Sequence, residues 1–312
     1  MKLNLPEELD FIRAGRLPQK TTNERLDGKV CIITGATSGV GYEAAKELAL
    51  AGASIVTINR NKEKSERLSI EIEKISGLKP KYFIADFSDL IQVRIATEEI
   101  LHDYQKIDVL INNAGVHMTT RQLTKEGHEM AFCVNHLAPF LITSMLLKRM
   151  VESAPSRIIQ INSEGHRFNG LDINDLIWEN RRYKGIKGYG ASKTAQLMTV
   201  WELHELLQNK GVSIIAMHPG AVKSNIGTNN GKLYNLYSKY LIQPLLKEAK
   251  ISGEAIYYLA ASKEMEGISG KFYNLTNEEI PAKHARDREL GKKIFQISKK
   301  LTNLDKEDVY EV

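Results

Sequence analysis

The 312-residue chain is poor in cysteine, in long apolar runs and in clustered charge. Its two cysteines, Cys31 and Cys133, lie far apart inside apolar stretches. That excludes a disulfide-stapled scaffold and fits a reducing compartment. No stretch reaches about 18 uninterrupted apolar residues, so stable membrane insertion is not expected. Residues 1–28 are polar and lack the apolar core of a signal peptide, and the expected location is the cytoplasm. The 43 basic and 38 acidic side chains leave a formal charge of +5 without a block of like charges, which argues against a nucleic-acid partner. The eight histidines form no His-Glu-x-x-His pattern and the cysteines have no partner at zinc spacing, so no metal site is expected.

What is present is an ordinary globular composition, 42% hydrophobic and 26% charged. Short Val- and Ile-rich runs at 29–34, 54–59, 81–85, 107–112, 157–162, 212–217 and 271–275 read as seven strands. Amphipathic patterns near 42–51, 61–76, 88–104, 123–152, 188–210 and 251–262 read as the helices between them. Such alternation predicts an α/β fold, a doubly wound parallel seven-stranded sheet of Rossmann type with helices on both faces. Residues 1–28 read as an extension in which Pro6 opens a short helix with Leu9, Phe11 and Ile12 on one face. Residues 29–282 read as one domain, and 283–312 as a C-terminal helix and tail. The segment 232–247 carries leucines and tyrosines at helical spacing. It reads as a pocket lid, as an ordinary packed helix or as a membrane-surface contact.

The first strand ends in Thr34-Gly35-Ala36-Thr37-Ser38-Gly39-Val40-Gly41, and a helix follows directly. Glycines let the main chain turn tightly and approach a ligand, and a helix N-terminus offers free N–H groups to a pyrophosphate. Between a buried strand and a helix, the triple points to a dinucleotide. The second strand ends at Asn59-Arg60, where many NAD sites place an acid on the ribose 2′-hydroxyl. An amide followed by a cation favours a 2′-phosphate, hence NADP(H) over NAD(H). The alternative is a solvated Arg60. The third strand ends at Asp86-Phe87-Ser88; Asp86 reads as an acceptor for an adenine amine or, like Ser88, as a helix cap. Asn112-Asn113-Ala114-Gly115 ends the fourth strand, either close to a ribose or as a plain turn. His218-Pro219-Gly220-Ala221-Val222-Lys223-Ser224 follows the sixth, with Val222 and Ser224 offering polar groups to a carboxamide. His166 and His218 read as packed or capping residues.

Tyr-x3-Lys occurs three times, at Tyr42…Lys46, Tyr183…Lys187 and Tyr189…Lys193. Only Tyr189 has a long amphipathic helix behind it and a strand-end serine, Ser163, upstream. Residues i and i+4 share a helix face, so Lys193 is expected beside Tyr189 and is expected to lower the phenol pKa. Ser163 reads as a donor to a carbonyl oxygen or as a turn cap. Asn135, a poor helix former inside the 123–152 pattern, reads as a kink with a released carbonyl or as a satisfied polar residue.

Together these motifs resemble the short-chain dehydrogenase/reductase family over about residues 28–275. Ser163-Glu164-Gly165-His166, Val134-Asn135-His136-Leu137, His218-Pro219-Gly220 and the tail Ala285-Arg286-Asp287 look like the retinol dehydrogenase and WW-domain oxidoreductase group, although Gly165 stands for a usual alanine. The resemblance implies that 29–282 is an NAD(P)-binding catalytic domain. It implies a catalytic set of Asn135, Ser163, Tyr189 and Lys193, with Asn135 holding a proton-relay water. It also implies hydride transfer between the nicotinamide and a small carbonyl or alcohol, and a homodimer or homotetramer built on the two long helices. Residues 164–187 and 225–250, with Trp178, are expected to form an apolar pocket for a retinol-like, steroid-like or lipid substrate. A non-catalytic NADP sensor and a sugar epimerase are the alternatives weighed against this.

Overall fold

The computed structural model describes residues 10–222, 226, 230 and 246–304. Seven parallel strands form the sheet: β1 (Val30–Thr34), β2 (Ser54–Asn59), β3 (Lys81–Ile84), β4 (Val109–Asn112), β5 (Ser156–Ile161), β6 (Val212–His218) and β7 (Lys271–Asn274). Their order is 3-2-1-4-5-6-7, so the strand order reverses between β1 and β4, where open α/β sheets bind ligands. An eighth strand beyond the seven expected, β8 (Asn277–Glu278), returns antiparallel on β7. The turn between them passes through Leu275 at φ 54°, with no glycine to announce it.

Alternate residues of each strand enter different cores, because side chains on a strand point to opposite faces. Ile32, Leu110, Ile158 and Ile214 pack in one core, together with α4 (Leu90–Asp103), α6 (Ala138–Glu152) and α7 (Gly185–Leu206). Cys31, Ile33, Ile111, Ile159 and Ile215 pack in the other. That second layer holds α2 (Gly39–Leu50), α3 (Lys62–Ser76) and α8 (Lys250–Ala261). Both cysteines are free and buried.

The expected helix 123–152 begins only at Met130. Gly127 turns the chain at φ 83°, Leu123 bridges Glu129, and the Glu129 carboxylate accepts from Ala131 N at 3.0 Å and Phe132 N at 2.7 Å. A short α5 (Met130–Phe132) then runs into a π-helical turn, Cys133–Leu137, before α6. Residues Met130–Glu152 are long and apolar enough to span a bilayer by composition, but 89% of that window is buried inside the fold. Here the helix serves as core.

Among the described residues, α1 (Asp10–Arg16) of the N-terminal segment packs at the β7–β8 edge. Lys20 N donates to Thr276 Oγ1 at 2.8 Å and Leu26 N to Ala51 O at 2.8 Å. Pro6 and Leu9 lie outside the described residues. The C-terminal helix α9 (Arg288–Leu301) lies on α7 and the start of α6. Phe295 meets Phe140 edge-on at 5.3 Å, and His136 Nε2 pairs with Ser298 Oγ at 2.7 Å. It covers part of the two long helices on which the expected self-association relied.

Candidate functional site

The glycine turn after β1 is fitted to the end of β4. Gly35 has φ 68°, and a Cβ there would stand 3.0 Å from Ala114 Cα. A Cβ on Gly41 would collide with Asn113 Nδ2. Asn113 Nδ2 donates to Thr34 O at 2.9 Å and Gly35 O at 3.0 Å, while Thr34 Oγ1 accepts from the amides of Asn113 and Ala114. Asn113 thus holds the two strand ends together. Ser38, the N-cap of α2, makes no side-chain hydrogen bond to the helix amides, which suits a helix end meant for an anion.

At the end of β2, Asn59 is 1% exposed. Its Oδ1 accepts from Ala36 N at 2.8 Å and its Nδ2 donates to Thr57 Oγ1 at 2.9 Å. The amide is spent on shaping the glycine turn, and Arg60 is the exposed polar group that follows it. Asp86 Oδ1 accepts from Ser88 N and Oγ. The cap of α4 is Asp89, whose side chain accepts from Gln92 N, so neither Asp86 nor Ser88 takes that role.

Ser163 follows β5 and caps a 3₁₀ turn over Glu164–Phe168, with its Oγ accepting from Gly165 N at 3.0 Å. Tyr189 lies in the first turns of α7, and Gly165 sits between its ring and Ser163 Oγ. Lys193, one turn on, is 2% exposed. Its Nζ lies 5.9 Å from the Tyr189 ring centroid and donates to Ile161 O at 2.7 Å. The expected sign of the phenol shift is reversed. Burial raises Tyr189, and the nearby Ser163 hydroxyl pulls it part of the way down. Lys193 is itself lowered to about 7 by burial, since its partner is a neutral carbonyl rather than a carboxylate.

Asn135 sits in the π-helical turn, which meets the expected kink. Its carbonyl is not released: Gln196 Nε2 donates to it at 3.0 Å. The Asn135 amide ties Val116 and Ser192 to the turn. Gln196 is the residue that the sequence patterns miss. Its Oε1 accepts from Asn162 Nδ2 at 2.8 Å and from Lys193 Nζ at 3.4 Å. His117 was equally hidden; its ring meets Tyr189 edge-on at 5.6 Å.

Of the other Tyr-x3-Lys pairs, Tyr42 bonds Glu71 on α3, and Tyr183 bonds Glu129 at 3.0 Å. His166 is fully buried and spans Ser163 O and Ala282 N, a packed residue as expected. Ser224 and most of 232–247 lie outside the described residues.

One cavity of about 1000 Å³ joins these parts. Gly35, Thr37, Ser38, Gly39, Val40, Arg60, Asp86, Phe87 and Asn113 line one end. Ser163, Tyr189 and Lys193 line the same cavity, as do Gly115, Pro219, Gly220 and Val222. Val116, Met118, Met130, Val134, Phe168, Ile186, Ile226 and Leu246 give an apolar wall. Trp178 is not in that wall; it packs on Tyr183 and under Arg181.

The family model for short chain dehydrogenases matches residues 29–234. The chain belongs to the short-chain dehydrogenase/reductase family. This short-chain dehydrogenase is 33% identical to retinol dehydrogenase 13 of Homo sapiens over 310 residues, covering 97% of this chain and 92% of that protein. Among solved structures it is similar to an uncharacterised protein of Mycobacterium paratuberculosis, with TM-score 0.71, 25% identity, and coverage of 93% and 97% of the two chains. It shares its fold with a Shigella flexneri structure assigned as a short chain dehydrogenase complexed with NADP. There the TM-score is 0.65, the identity 19%, and the coverage 81% and 99%. As a member of this family the chain is an oxidoreductase that binds a nicotinamide cofactor.

Proposed function

We propose that this short-chain dehydrogenase is an NADP(H)-dependent oxidoreductase. It interconverts a carbonyl and an alcohol on an apolar substrate of retinol-like, steroid-like or lipid character. The observation that carries this reading is the neighbouring pair of Ser163 and Tyr189, packed about Gly165. It lies in the wall of the same cavity that receives the glycine turn and Arg60. The glycines fitted against Ala114 and Asn113, and the α2 amides that Ser38 leaves uncapped, suit a dinucleotide pyrophosphate. Arg60 beside Lys64 favours the extra phosphate of NADP(H).

When bound, the cofactor supplies the hydride. Tyr189 is the catalytic acid in reduction and the base in oxidation, holding the moving proton at its Oη. Ser163 Oγ donates to the same substrate oxygen as charge develops on it. Lys193 lines the cavity and would hold the cofactor ribose, and Gln196 links it to Asn135, which is buried behind the lining. The apolar wall excludes water, and the likeness to a human retinol dehydrogenase agrees with a retinoid class. The free, buried cysteines suit a reducing location such as the cytoplasm.

The test is a panel of apolar aldehydes, ketones and alcohols assayed with NADPH, NADH and their oxidised forms. Turnover faster with NADPH on lipophilic members supports the reading. Absence of turnover across the panel with tight NADP binding would favour the sensor instead.

A further inference from the structure

Beside the reaction site lies a charge cluster that the proposed chemistry does not use. Glu164 follows Ser163, lines the cavity and accepts from Arg167 Nε at 2.5 Å through Oε2. Arg167 Nη2 reaches across to Glu279 Oε1 at 2.5 Å and to Ile280 O at 2.8 Å. The Glu279 side chain is 0% exposed and lies just beyond β8, outside the cavity wall. Glu279 Oε2 accepts from Asn274 Nδ2 at 3.0 Å.

The remaining oxygen of Glu164, Oε1, is buried with no donor among the described residues. Arg167 thus holds both carboxyls on one guanidinium, Glu164 at Nε and Glu279 at Nη2. Two ionised carboxylates are acceptors only, so on a shared guanidinium one proton held in common offsets their repulsion and gives Oε1 a partner. One guanidinium then balances one net negative charge.

The cluster also fixes geometry. The Glu164–Phe168 turn is stitched to the chain after β8 by Arg167, by Ala282 N donating to His166 Nε2 at 3.0 Å, and by His284 Nε2 against His166 O at 2.8 Å. The same turn carries Ser163 Oγ on Gly165 N, and Gly165 backs the Tyr189 ring.

We propose that Glu164 and Glu279 hold a single proton between them across Arg167, and that Glu279 is a positioning residue for Ser163 and Tyr189. The inference rests on the reading of Ser163 and Tyr189 as the reacting pair. Loss of the shared proton leaves two buried carboxylates on one cation, and their repulsion shifts the turn that carries Ser163. Burial and the Glu279 carboxyl raise Glu164 above the ordinary carboxylate range, which agrees in sign. The other titratable groups facing the cluster are His166 on the turn, His218 at the end of β6 and His284. His166 and His218 are held neutral at neutral pH by burial.

The experiment compares wild type, Glu279→Gln and Glu164→Gln by infrared difference spectroscopy between about pH 6 and about pH 9, with kcat/KM measured for NADPH-driven carbonyl reduction over the same range. Wild type should show a carboxylic-acid C=O band that disappears on raising the pH and is lost in both variants. Glu129, also raised by burial, contributes equally to all three spectra. In kinetics, kcat/KM of wild type should fall across the range in which the band disappears. Glu279→Gln should remove that limb while NADPH affinity stays within about twofold. A wild-type spectrum without the band, or a Glu279→Gln pH profile that overlays wild type, overturns the proposal. If Glu279→Gln does not fold, Glu164→Gln carries the same comparison. A band that behaves as expected in a protein without turnover would count against the catalytic reading and leave the shared proton standing.

Discussion

Gly165 and the ring of Tyr189 are in direct apposition: a Cβ on Gly165 would stand 2.6 Å from Tyr189 Cε1 and 3.3 Å from Ser163 Oγ. The phenol can give way only by moving off Ser163. Gly165→Ala should therefore lower kcat/KM by about tenfold and Gly165→Val by more than about a hundredfold, with NADPH affinity retained. Steady-state kinetics paired with a cofactor titration checks this. Equal activity in all three proteins would show that the ring position is not critical.

In the proposed reading Arg60 is the cation that selects NADP(H) over NAD(H). A charge-assisted hydrogen bond is worth roughly 1.5–3 kcal/mol, about 10- to 150-fold. Arg60→Glu should lower kcat/KM for NADPH by that factor or more and raise it for NADH, inverting the ratio. An unchanged ratio would remove Arg60 from the account.

Gln196 joins four partners that the sequence patterns treat separately: Asn135 O, Gln160, Asn162 and Lys193. Gln196→Leu leaves buried donors and acceptors unpaired, at about 1–3 kcal/mol for each group. Chemical denaturation should show a loss of at least that size, together with a lower kcat. A neutral Gln196→Leu would mean that Lys193 is held by Ile161 alone.

This network marks where the sequence stops being legible. The seven parallel strands, the glycine turn and the Ser163–Tyr189–Lys193 grouping follow from local patterns: Val/Ile runs, a glycine triple after the first strand, and i,i+4 spacing. Gln196 carries no such mark, because a glutamine in an amphipathic helix usually faces water, and only packing against the π-helical turn gives it partners. β8 was hidden because a leucine, Leu275, rather than a glycine or asparagine takes the positive φ of its turn. Trp178 suggested an apolar pocket by composition alone. Its cation–π contact with Arg181, 3.8 Å from the ring centroid, takes it elsewhere. The Asn59 amide stood in the right place for a ribose but is occupied by Ala36.

Lys193 carries a stability cost with a definite pH dependence. Burial lowers it from its ordinary 10.5 to about 7. Below about 7 it is charged in both folded and unfolded chains and the cost is full; above 10.5 it is neutral in both and the cost is gone. Cofactor-free protein should therefore gain stability as pH rises between those values. Lys193→Met should raise Tm at neutral pH, flatten that rise and abolish turnover. Thermal melts across the range decide it; a Tm for Lys193→Met below wild type at neutral pH would contradict the assignment.

The central claim is that Tyr189 moves the proton, and Tyr189→Phe tests it most directly. The variant should bind NADPH with a Kd within about twofold of wild type while kcat for carbonyl reduction falls by about 10²–10⁴ or more. Turnover near the wild-type rate, with the cofactor bound as tightly, would contradict the account.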